Sequence, residues 1–217
     1  MPRTVDHDER RTQIADGLIR VAGRDGLHAV TMRSVAAESG VSLRLVQYYF
    51  KTKAQLLHFA IQHLERQSNQ RWAARLAGLP DKPSPRAFLE AFVDEALPTD
   101  EPSCTFHRVF TSYAVLAMTD PELAAEPFIE GPNRLEGRLV EVLEQAQAGG
   151  ELPLDLDASA EAARLVAINH GLGTSVLMGQ RTAGAARAVL RYHLDRLFSA
   201  SGGVPAPAGG TSTRSSH

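Results

Sequence analysis

Residues 31–50 read TMRSVAAESGVSLRLVQYYF. Thr31 opens a short helix whose Val35 and Ala36 face inward, and Gly40 stops it. Ser42 is an N-cap candidate for a second short helix reaching Phe50. The small Ala36 sits four residues before the turn, where the two helices must approach closely, and Gly40 can take a positive φ. Val41 and Val46 face back into the core. This is the pattern of a helix-turn-helix, in which the second helix lies in the DNA major groove. A plain helical hairpin in a bundle would share the glycine turn. The outward residues of the second helix argue for the former. Leu43, Arg44, Gln47, Tyr48 and Tyr49 form a stripe that is costly to leave bare. Arg can pair with guanine, Gln with adenine, and Tyr can reach phosphate or a thymine methyl. Lys51 and Lys53 follow at a helix start, where backbone N–H groups also attract phosphate.

Working outward, apolar spacing is helical throughout. Ile14, Leu18, Val21 and Ala22 mark a helix over about 8–24, ended by Gly26. Thr52 caps another, with Leu56, Leu57, Ala60 and Leu64 as its buried stripe, running to about Leu76. After Pro80, Pro83 and Pro85 come helices at about 86–97, 104–118, 122–128, 133–148, 157–178 and 183–199. Pro98, Pro102, Pro121, Pro127, Pro132, Gly149, Gly150 and Pro153 punctuate them. No period-two alternation calls for a sheet, so the expected fold is all-α. A three-helix head spans 8–53, a helical regulatory and dimerisation bundle spans 54–199, and a Gly/Ser/Pro/Thr-rich tail at 200–217 is expected to be disordered.

Charge is distributed unevenly. The 217 residues carry a net charge of −2. Residues 1–53 hold nine Lys/Arg against six Asp/Glu, a surplus of three, whereas the other 164 hold 14 against 19. A basic head on an acidic body suits a DNA-binding module attached to one that does not bind DNA. The single cysteine, Cys104, excludes an intrachain disulfide and leaves a reducing, cytoplasmic setting as the expectation. No apolar run approaches the roughly 20 residues of a membrane helix, and the charged first 25 residues have no secretory apolar region.

The run T-M-R-S-V-A-A-E-S-G-V-S-x5-Y-Y-F-x-x-K-x-x-L-L resembles the DNA-binding head of TetR/AcrR-type transcriptional regulators, and the body is loosely similar to the betaine-repressor type. The resemblance implies that Thr31 and Arg33 touch phosphate or a base edge. It implies that Ser42, Leu43, Arg44, Gln47, Tyr48 and Tyr49 face DNA and that Lys53 binds phosphate. Many members carry a backbone-contacting Tyr where this chain has Gln47, which leaves a base contact open there. It further implies dimerisation through the last two helices. In the last helix Ala186, Val189, Leu190, His193, Leu194, Leu197 and Phe198 make a stripe wider than one partner needs. Gly171, Gly173, Thr174 and Ser175 in the helix before it would permit close approach.

Phe106, Phe110, Tyr113, Met118, Asn169, His170 and Met178 are the candidate lining of an effector pocket; Asn169 and His170 interrupt an apolar helix, and buried polar groups need partners. His107, His170 and His193 lack metal-ligand spacing, and no nucleophile elbow or phosphate loop occurs, so neither a metal, a cofactor nor an enzyme is expected. The expected function is repression by a homodimer on a palindromic operator, released by an uncharged or weakly polar small organic molecule. The alternative is a ligand-independent DNA binder whose body only dimerises.

Overall fold

A computed structural model describes residues 3–79, 83–125 and 129–199. The described residues form ten α-helices and one 3-10 turn, with no strand among them. The expected disordered tail and Pro127 lie outside the described residues.

The head comprises α1 (Arg3–Asp25), a 3-10 turn at Leu27–Ala29, α2 (Met32–Ser39) and α3 (Leu43–Tyr49). Its caps are those the sequence calls for. The Ser34 N–H donates to Thr31 Oγ1 at 3.0 Å, and the Thr31 N–H donates to Ser34 Oγ at 2.9 Å. This reciprocal pair satisfies two of the donors a helix start leaves open. Gly40 ends α2 at φ 66°, a left-handed conformation that any side chain would strain. Ser42 Oγ then accepts from the Leu45 N–H at 3.2 Å and opens α3.

Helix α4 (Lys53–Ala77), capped by Thr52, joins head to body. At 25 residues it spans roughly 37 Å. Its first half packs into the head core: Leu56, Leu57, Ala60, Ile61 and Leu64 meet Ile14, Leu18, Val35, Val46 and Phe50. Farther along, Trp72 belongs to a second core built from the body helices. The expected boundary at residue 53 therefore falls at the start of a helix shared by both cores.

The body continues with α5 (Pro85–Ala96), α6 (Glu101–Ala117), the short α7 (Pro121–Ala124), α8 (Glu130–Ala148), α9 (Ala158–Leu177) and α10 (Ala183–Ser199). Each of α5, α6 and α7 starts with a side-chain cap and a proline in its first turn, where a missing N–H costs nothing. Helix α6 also reaches the head. Val109 and Tyr113 complete the head core, together with Leu123 of α7.

The rotation of α10 differs from the expected dimer stripe. Ala186, Leu190, Leu194 and Leu197 are buried within the protomer, in the second core. Ion pairs of Arg86 with Asp195 and of Arg187 with Asp94 hold α10 against α5 in this rotation. Among the residues α10 exposes are Ala185, Ala188, Val189 and Tyr192. The glycines of α9 also divide. Gly171 faces open space, whereas a β-carbon at Gly173 would lie 2.3 Å from His107 Cε1, so Gly173 serves packing between α9 and α6.

A candidate nucleic-acid interface and the cavity behind it

Two anchors set the face that α3 presents. Val46 and Phe50 are buried in the head core, which fixes the helix rotation and turns Arg44, Gln47 and Tyr48 outward. Tyr48 is 61% exposed. Ser42 is exposed, but its oxygen is engaged as the cap. Leu43 and Tyr49 are half-buried and pack on the head core, so they present only part of their surface. Thr31 and Arg33 are exposed at the start of α2, and Lys53 is exposed at the start of α4. All the candidate DNA-facing residues are thus exposed or half-buried on the head.

Much of the head's remaining positive charge is already balanced. Arg20 and Arg24 pair with Glu38 at 2.9 and 3.1 Å. Their hydrogen bonds hold the Glu38 carboxyl below its usual range. Arg33, Arg44 and Lys53 form no ion pair among the described residues and remain available to an anion. We expect Lys53→Ala to weaken DNA binding evenly across sequences and to reduce the salt slope by about one. Fluorescence anisotropy across a potassium chloride series reads both. An unchanged slope would remove Lys53 from the interface.

His7 joins this face without any sequence signal beyond lying in a basic N-terminal segment. Its ring is edge-on to Tyr49 at 5.4 Å, and Tyr49 is edge-on to Tyr48 at 5.2 Å. Lys51 Nζ lies 5.9 Å from the Tyr48 ring. The start of α1 therefore buttresses the end of α3 through aromatic edges.

Behind the head lies a cavity of about 280 Å³, bounded by α4, α5, α6, α8 and α9. Phe106, Phe110, Asn169 and His170 line it, as the sequence suggests. Tyr113, Met118 and Met178 do not. Tyr113 is fully buried two turns beyond Phe106 along α6, in the head core, its hydroxyl donating to the Leu123 carbonyl at 3.5 Å. Met118 and Met178 are the residues that cap the ends of α6 and α9, and there they turn to solvent, 80% and 71% exposed.

The cavity also contains residues that sequence reading passes over. Phe106 and Phe110 stack at 5.6 Å, with His170 5.4 Å from Phe110. Trp72 and Phe92 supply aromatic surface from α4 and α5. Glu95 is buried, and its carboxylate accepts from Arg71 at 2.8 Å, Ser68 at 3.1 Å and Arg75 at 3.3 Å. Two guanidinium groups and a hydroxyl satisfy the oxygens of this buried carboxylate. Glu95 could have been found as an acid interrupting the apolar stripe of Leu89, Phe92, Val93 and Ala96.

The C-terminal carbonyl of α5 at Ala96 accepts from both His107 Nε2 and Asn169 Nδ2, the latter at 3.3 Å. This satisfies an acceptor that the helix end leaves open. Burial keeps His107 and His170 neutral by pushing both below the ordinary imidazole value of 6.5. In the unfolded chain these groups bind protons first. Their contribution to stability is therefore complete above about pH 6.5 and declines as pH falls, at no more than about 1.4 kcal/mol per pH unit for each group. The melting temperature should drop between about pH 6.5 and 5.5, and more shallowly in His170→Gln. Glu65, whose carboxyl burial pushes up, works in the opposite sense. Comparison of the variant with wild type is the deciding measurement; equal slopes would contradict the assignment.

Two family models match separate stretches of the chain. Residues 14–59 match the family described as bacterial regulatory proteins, tetR family, and residues 85–199 match BetI-type transcriptional repressor, C-terminal. The chain is 27% identical over 181 residues to the HTH-type transcriptional regulator PksA of Bacillus subtilis, covering 82% of this chain and 83% of that protein. A TetR-family transcriptional regulator structure from Rhodococcus sp. superposes with a TM-score of 0.79 at 21% identity, over 88% of this chain and 99% of that one. A transcriptional regulator from Saccharomonospora viridis in complex with choline gives 0.75 at 25% identity, over 87% and 96%.

Proposed function

The chain belongs to the TetR family of DNA-binding transcriptional regulators, which are not enzymes, and from that premise we propose that it is a cytoplasmic, effector-released repressor. A homodimer holds a palindromic operator through α3 of each head. A small organic molecule in the cavity releases it.

The observation that carries this reading is the continuity between cavity and head. Helix α4 supplies Glu65, Ser68, Asn69, Arg71 and Trp72 to the cavity wall, and its other end is built into the head core. Helix α6 supplies Phe106, His107 and Phe110 to the cavity, and Val109 and Tyr113 to the head core, against which Phe106 and Phe110 also pack. A molecule that shifts either helix must move the head. Two recognition helices have to match successive half-sites one or more turns of DNA apart, so a small rotation of each head spoils the fit. Coupling of this kind needs the ligand to favour the DNA-free spacing by about 1–3 kcal/mol. A body serving dimerisation alone has no need of a hollow floored by a buried, charge-compensated glutamate.

The dimer is supported by an exposed stripe on two adjacent helices. Ala160, Ala163, Ala167 and Gly171 on α9, with Ala185, Ala188, Val189 and Tyr192 on α10, are exposed. Small residues at helical spacing allow the close packing of a two-fold bundle. The choline bound in the Saccharomonospora viridis relative supports an effector of small-organic size.

The test is a thermal-shift screen of metabolites against the full-length chain, followed by titration of each hit into the protein bound to DNA selected from a random pool. At least one stabilising compound should lower DNA affinity. If every stabilising compound left it unchanged, the effector reading would fail and a dimer-only body would replace it.

A further inference from the structure

Building on the effector reading, we infer that the cavity takes a small organic monoanion, a single-ring carboxylic acid with a hydrogen-bond donor at the end away from the acid. Arg138 and the Trp72 indole N–H receive the carboxylate, and Asn169 receives the donor.

The charge balance points first to an anion. Glu95 is compensated twice over, by Arg71 and Arg75. Glu65 has Arg134 at 3.4 Å, and burial raises its carboxyl, which weakens the negative side further. Arg138 lines the cavity and has no carboxylate partner among the described residues. Its guanidinium carbon lies 4.4 Å from the centre of the Trp72 ring and 4.9 Å from that of Phe88. Burial disfavours a charge on His107 and His170, which leaves Arg138, on α8, as a lining cation without a carboxylate partner among the described residues. A guanidinium stacked on an aromatic face keeps its edge donors free for a carboxylate.

Unpartnered polar atoms then fix the two ends. Trp72 is 3% exposed, and its Nε1 is buried without a hydrogen-bond partner. It can only donate, so it calls for an acceptor on the ligand. Asn169 is 4% exposed; its amide nitrogen is spent on Ala96, and its Oδ1 has no partner. That oxygen calls for a donor. Leaving either atom unmet carries a desolvation cost that a ligand can remove. Phe92, Phe106 and Phe110 offer flat apolar surface in the same cavity. The volume of about 280 Å³ is ample for one substituted ring. A quaternary ammonium ion would seek the Trp72 face, but Arg138 already occupies it with a positive charge.

The experiment is calorimetric titration of the full-length protein with matched compounds. The acids are para-hydroxybenzoate and para-hydroxyphenylacetate. They are compared with their amides, the corresponding amines, benzoate lacking the hydroxyl, and choline. The acids are expected to bind about tenfold or more tightly than amides and amines. Arg138 is exposed, so its variants should fold. Arg138→Gln should bring acids down to the level of amides without weakening the amides, and Arg138→Lys should retain part of the preference. Benzoate should bind less tightly than its hydroxylated counterpart. Amides, amines or choline binding as tightly as the acids would overturn the inference, as would failure of both acids to bind. The effector reading is scored separately, by release of DNA. Release by a bound amine sinks the anion and keeps the effector; binding of the acids without release does the reverse.

Discussion

Leu194→Asp is expected to unfold the protomer, not to yield folded monomers. Leu194 is fully buried between α10 and the rest of the body core. The substitution removes a large apolar side chain, worth about 2–5 kcal/mol in such a site. It also leaves an unpaired charge where none can be solvated, a further cost of about 3–5 kcal/mol. Together these rival the whole stability of an ordinary domain, about 5–15 kcal/mol. Circular dichroism should show loss of helical signal at ambient temperature. Val189→Asp provides the contrast. Val189 is partly exposed on the proposed bundle face. This variant should keep its helical signal and elute as a monomer in light scattering. A folded, monomeric Leu194→Asp protein would mean that α10 is rotated from the orientation described.

The second large effect is expected at Arg44. It is exposed on α3, unpaired among the described residues, and held outward by the burial of Val46. Loss of a bidentate base contact costs about 1–3 kcal/mol. A dimer on a palindrome loses two such contacts, so Arg44→Ala should lower specific affinity by about 2–6 kcal/mol. Binding to unrelated DNA should fall much less. Thermal stability should not change, because the side chain supports no core. Anisotropy with selected and scrambled DNA at one salt concentration checks this; an equal loss on both would reduce Arg44 to a phosphate contact.

The helices were readable because their start and stop signals are local. Thr31, Ser42 and Thr52 sit within three residues of the N–H groups they cap, and Gly40 acts on its own backbone. What escaped sequence reading depends on rotation and distant partners. A stripe on α10 shows that one face is apolar, but not whether the buried face meets the same chain or a second copy. The pairing with Asp94, nearly a hundred positions away, settles that for Leu194. Met118 and Met178 looked like adaptable lining, yet each lies just past the last turn of its helix. The cavity's polar partners, Glu95 with Arg71 and Asn169 with Ala96, are 24 and 73 residues apart. His7 beside Tyr49 is of the same kind. On α3, by contrast, helical periodicity alone turned Arg44, Gln47 and Tyr48 outward, and only the partial burial of Leu43 and Tyr49 needed the tertiary structure.

The sharing of α4 sets a rule for exchanging modules between regulators. A chimera cut between residues 53 and 54 would separate Val46 and Phe50 from Leu56, Leu57, Ala60, Ile61 and Leu64, which are their own packing partners. A transplantable reading head must include α4 at least to Leu64. It must also find, in the recipient, surfaces equivalent to Val109, Tyr113 and Leu123. Recombination within this fold keeps that core intact when only the exposed side chains of α3, such as Arg44, Gln47 and Tyr48, are exchanged. Exchange of side chains around the hollow likewise leaves it intact, and would change which molecule the proposed effector site takes. Splicing at the apparent domain border would disrupt a continuous core.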